Sequence, residues 1–309
     1  MRQDRILPGV MMMVAFCAIA PLIDVAAKLA AAAIPVGQIT AARFAGQAVL
    51  MLPVVLAMRL PLSLTFRGLA LTVLRAVLLM ASTYAFVSAI AVMPLADALA
   101  IVFVEPFILL LLGWALFGEA VGPRRIGACV VGFLGALLVI QPSFAAFGLV
   151  VLWPLATALL FALYMMVTRA QSRTAHPVTM QFHTAWTGFL ICLPFLAAGR
   201  AWGIGELTPV WPQGIDILWL VGVGAAATVS HMAITFALTF APSATLAPLH
   251  YLELVVSVTL GYLVFGDFPA PLAWAGIAVI AGSGLYIIHR ERLVARSAGG
   301  LSGQAPEPL

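Results

Sequence analysis

Apolar runs of about 20 residues, the length a helix needs to cross a bilayer, alternate along the chain with short breaks carrying Pro, Gly or Arg. Within the runs the apolar residues are continuous, not alternating, so the pattern predicts spanning helices and argues against a β-barrel. Ten helices are predicted, at 9–32, 38–58, 68–91, 95–117, 123–141, 147–170, 177–199, 214–238, 243–265 and 271–289. The longest loop, RAWGIGELTPVWPQ, covers 200–213, and the tail 291–309 is expected to be disordered.

One of these stretches occurs twice. Pro94–Pro123 slides onto Pro242–Pro271 without a gap, with eight identities: Pro94/Pro242, Ala96/Ala244, Glu105/Glu253, Leu112/Leu260, Gly113/Gly261, Phe117/Phe265, Gly118/Gly266 and Pro123/Pro271. Phe103 meets Tyr251, and Glu119 meets Asp267. Leu52-Pro53 echoes Leu193-Pro194 at a shifted offset, and Lys28 echoes Arg169. Two units follow, 8–142 and 147–290, each with five predicted helices. Five is odd, so the second unit is expected to enter the membrane upside down relative to the first.

Composition narrows the class further. The chain is 64% hydrophobic and 8% charged, where a soluble domain has about a quarter of its residues charged. Such a chain cannot cover itself with polar groups, and in lipid only helices or closed barrels satisfy the backbone. The net charge of +4 comes from fourteen Arg and a single Lys, with no basic cluster carrying interleaved aromatics, so nucleic acid is not an expected partner. With the N-terminus inside, eleven Arg fall on inner segments, and Arg200 alone lies outside. That bias predicts cytoplasmic termini. The MRQDR start and Ala18-Ile19-Ala20 resemble a secretory signal, but the apolar run continues past Ala20 and is read as a retained helix. Cys17, Cys129 and Cys192 lie far apart in apolar runs and read as buried thiols. Metal spacing, cofactor motifs and hydrolase signatures are not found.

Ten helices in two halves, each ending in E-x11-FG-[ED] and a Pro-led last helix, resemble the EamA branch of the drug/metabolite transporter superfamily over residues 8–290. The resemblance implies an all-α polytopic protein of the bacterial inner membrane, with a central cavity between the halves. Its expected role is secondary transport of a small metabolite: an amino acid or derivative first, a vitamin such as riboflavin second. The expected partners are that solute and the lipid bilayer, and a homodimer is allowed. An intramembrane enzyme, or a membrane sensor or scaffold, is the alternative.

The chemistry is expected at ionisable residues inside the spans, which are costly there and face protein or water. Glu105 and Glu253, midway along helices four and nine, are the leading candidates for proton or substrate binding. Pro106 and Pro248 lie near them, and His250 shares a helical face with Glu253. Asp24 and Lys28, four apart on helix one, can neutralise each other or meet a substrate. Arg75 lies deep enough to want a carboxylate partner, whereas Arg43, one turn in, is expected to snorkel. His231 is a weaker candidate. Tyr84, Phe103, Tyr164, Trp186 and Tyr251 could line the cavity and stack on a planar substrate.

Overall fold

The computed structural model describes residues 5–118 and 122–266, and beyond them 271–272, 274–279, 281–283 and 286. Among these residues every regular element is helical. The helices are α1 (Ile6–Ala30), α2 (Val36–Ala57), α3 (Phe66–Ile90), α4 (Leu95–Val102), α5 (Glu105–Phe117) and α6 (Pro123–Phe147). A 3-10 turn at Gly148–Val151 leads into α7 (Leu152–Gln171), α8 (Pro177–Trp202), α9 (Ile215–Phe240), α10 (Ser243–Leu246) and α11 (Leu252–Phe265). Among the described residues seven helical stretches are long and apolar enough to cross a membrane. Glu119, Asp267 and the tail 291–309 lie outside the described residues.

Local signals set the ends. Thr65 caps α3, its hydroxyl accepting from the Gly68 amide at 3.1 Å. Pro177 opens α8, where a missing amide proton costs nothing. Gly118 and Gly203 close α5 and α8 with φ of 61° and 66°, a conformation that favours glycine. The run through Ala20 continues as α1, which packs along α9.

Sequence and structure part company at the repeated element. Helices four and nine are read from sequence as continuous, yet both are interrupted just before the glutamate. The first breaks at Phe103–Val104, between α4 and α5. The second passes through a 3-10 segment, Ala247–Tyr251, between α10 and α11. Pro106 sits in the first turn of α5, where its lack of an amide proton is harmless. Pro248 lies in the first turn of the 3-10 segment.

The two units pack across one another in exchanged pairs. α1 lies on α9 as α3 lies on α7, α2 on α9 as α3 on α8, and α1 on α11 as α5 on α7; α2 meets its own counterpart α8. Small residues permit the closest crossings. A Cβ on Gly46 of α2 would lie 3.0 Å from Gly224 Cα of α9, and one on Gly188 of α8 would strike the Phe44 ring at 2.6 Å. One core cluster gathers Ile23, Ala27 and Leu99, a second Phe16, Ala20 and Leu79. The three cysteines are buried and unbridged.

Candidate functional site

Between those clusters, where the two spans are broken, lies a cavity of about 90 Å³. That is room for several water molecules. Its wall is mostly apolar, but six ionisable side chains reach it: Asp24, Arg43, Glu105, His231, His250 and Glu253. Phe16, Phe103 and Phe161 add aromatic faces.

One group joins the repeats. Glu105, fully buried at the start of α5, places Oε2 2.5 Å from Nδ1 of His250. The other ring nitrogen, Nε2, is 2.8 Å from Oε2 of Glu253. A single imidazole therefore bridges a carboxylate from each half. Two hydrogen bonds among three groups need two protons. A doubly protonated ring between two carboxylates satisfies this, and so does a neutral ring with one protonated acid. Either way the trio carries one net negative charge. Phe16, Phe161 and Phe103 surround the imidazole, with ring centroids 5.3, 5.9 and 6.2 Å away.

A second group is cationic. Arg43 of α2 is buried and donates to the Thr83 hydroxyl and to Nε2 of His231. A guanidinium only donates, so His231 Nε2 accepts; in the neutral ring the proton sits on Nδ1, 3.3 Å from the Tyr164 hydroxyl. Tyr164 also receives a bond from Arg75 at 3.0 Å. Arg75 has no exposed surface and donates further to Thr168, Thr184, Gln181 and Thr235 at 2.8–3.1 Å.

The expected site residues divide. Glu105, Glu253, His250, Asp24 and Phe103 line the cavity. Arg75 lies behind it, and the carboxylate it was expected to need is replaced by five neutral acceptors among the described residues. Lys28 donates to the Met93 carbonyl at 3.3 Å and sits 4.8 Å from the centre of the Phe265 ring. Tyr84 faces a separate apolar pocket between α2, α3, α7 and α8, and hydrogen-bonds Glu206 at 3.2 Å. Trp186 is 47% exposed on the outer face of α8, against Phe189. The Tyr251 side chain lies outside the described residues. Arg43 does not snorkel: its guanidinium turns inward to α3 and α9. Phe16 and Phe161 carried no sequence signal, since an apolar aromatic in an apolar helix looks the same on any face.

The EamA-like transporter family matches residues 7–141 and 148–289. A riboflavin transporter of Rhizobium johnstonii is 31% identical over 70% of this chain and 69% of its own length. One of Brucella anthropi is 27% identical over 74% and 79%. An S-adenosylmethionine uptake transporter of Rickettsia felis is 24% identical over 71% and 72%. A crystal structure with 19% identity superposes with a TM-score of 0.70, covering 91% of this chain and 98% of that one, and shares the fold. The chain belongs to the EamA-like transporter family. It is a polytopic membrane protein that transports small metabolites and is not an enzyme.

Proposed function

We propose that this EamA-family protein is an inner-membrane secondary transporter whose two halves, 8–142 and 147–290, alternate access to the cavity between them. The observation that carries the reading is the His250 bridge. It ties one buried acid from each half at the wall of a cavity, at the place where carriers built of inverted repeats bind solute. Ten spans, oppositely oriented halves and cytoplasmic termini complete the arrangement. The exchanged helix contacts support the two-fold relation, and the arginine bias supports the orientation. Reporter fusions at both termini and at the 200–213 loop test the topology; termini and loop on the same side would sink it.

The solute best suited to the cavity carries a planar ring and polar groups of both kinds. Four phenylalanines line the cavity, Phe16, Phe86, Phe103 and Phe161, and Glu105, Glu253, Asp24 and Arg43 offer acceptors and donors. Riboflavin and S-adenosylmethionine, the solutes in the relatives' names, both combine a ring with polar substituents. An amino acid derivative bearing a ring fits the same description. Purified protein in sealed vesicles decides the matter. Labelled ring-bearing solutes should accumulate unchanged, and the protein-free control should not take them up. Failure of riboflavin, S-adenosylmethionine and the aromatic amino acids alike to enter would overturn the substrate reading.

A further inference from the structure

Two buried arginines, Arg43 and Arg75, are linked through His231 and Tyr164 and are held differently. Every guanidinium nitrogen of Arg75 donates a hydrogen bond. Arg43 uses Nη1 on Thr83 and Nη2 on His231, while its buried Nε has no partner among the described residues. Arg43 lines the cavity and Arg75 does not. Both described hydrogen-bond partners of Arg43 are neutral, and the Asp24 carboxylate on the same wall acts on its charge without a described hydrogen bond to it.

A complementary orphan belongs to a second residue of the cavity wall. Oε1 of Glu105, buried, has no hydrogen-bond partner among the described residues, its other oxygen being held by His250. A buried polar atom left unpaired is costly. Here a donor and an acceptor of that kind belong to residues facing one chamber. A solute bearing an anionic acceptor and a cationic donor satisfies both at once.

We propose that Arg43 is the specificity-determining residue that reads a carboxylate on the transported solute, whose ammonium group turns to Glu105 and whose ring lies among Phe16, Phe103 and Phe161. This rests on the reading that solute occupies the cavity. The planar guanidinium fork matches a carboxylate, which a lysine ammonium does not. His231 positions it: the ring accepts from Nη2 and keeps that half of the fork oriented. Arg75 holds Tyr164, and through it His231, in place.

The test uses full-length purified protein and three probes: L-tryptophan, L-tryptophanamide, which keeps the ring and the ammonium but lacks the carboxylate, and riboflavin, with binding followed by thermal unfolding. The wild type should prefer tryptophan over its amide by about tenfold or more, the scale of one charge-assisted hydrogen bond. In Arg43→Gln that preference should fall to within about twofold, with affinity for the amide retained, a split that a general loss of folding does not produce. Arg43→Lys should keep the charge and lose at least about threefold of the preference; it decides the matter if Arg43→Gln does not fold. A wild type without preference, or variants that keep it in full, overturn the proposal. Riboflavin binding alone overturns carboxylate recognition and leaves the ring-solute transporter standing. Binding of none of the three sinks both.

Discussion

The two copies of the repeated element share their backbone landmarks and differ in their chemistry. Pro94 and Pro242 precede them with φ, ψ of −57°, 143° and −60°, 145°. Both copies are interrupted before the glutamate, and both end on a glycine with positive φ, 61° at Gly118 and 71° at Gly266. At one critical position they diverge: the counterpart of His250 is Val102. The prolines differ as well, Pro106 after the break in one copy and Pro248 within it in the other. Duplication has preserved how the chain is bent, while the group that links the two acids comes from one copy alone. A symmetric frame thus surrounds an asymmetric site.

Making the second copy like the first is the harshest test of that view. His250→Val removes the bridge and leaves two buried acids facing each other. Breaking a buried charged pair costs about 3–5 kcal/mol, so a large drop in unfolding temperature and loss of uptake are expected. Near-wild-type stability would mean the bridge contributes little. Glu105→Gln and Glu253→Gln ask whether the acids are equivalent. An amide can still hydrogen-bond the imidazole, so each should cost only about 1 kcal/mol in stability. The double variant should reach the membrane and transport nothing, and full uptake by it would remove the acids from the mechanism. Gly118→Ala and Gly266→Ala probe the shared backbone. Among the described residues no atom lies within 4 Å of a Cβ at either site, leaving the left-handed conformation to resist, about 1–2 kcal/mol each. Clearly unequal losses would show that the copies are not backbone equivalents. Trp186→Ala should change least, within about 0.5 kcal/mol and with uptake intact; impaired uptake would return Trp186 to the site.

The helix limits were legible because lipid demands long unbroken apolar runs, and few sequences meet that demand by accident. The predicted 38–58, 177–199 and 214–238 became Val36–Ala57, Pro177–Trp202 and Ile215–Phe240. The interruptions at 103–104 and 247–251 were not legible. They depend on packing between the halves, and Pro106 or Pro248 alone reads as an ordinary kink. Within the site, Glu105, Glu253 and His250 stood out because ionisable residues are rare in such a chain. Arg43 was misjudged because depth along a helix can be counted from sequence, whereas the direction around it cannot when every face is apolar. Tyr84 and Trp186 misled for the same reason: aromatic side chains serve lipid and chamber equally well.

The paired interruptions carry one more consequence. Glu105 and Glu253 each stand in the first turn of a short helix, the end whose peptide dipoles favour negative charge. Such an end is worth up to about 2 kcal/mol in a partly buried setting. If the two halves do alternate, the charge left behind when solute departs would be eased by these two helix ends together with the imidazole between them.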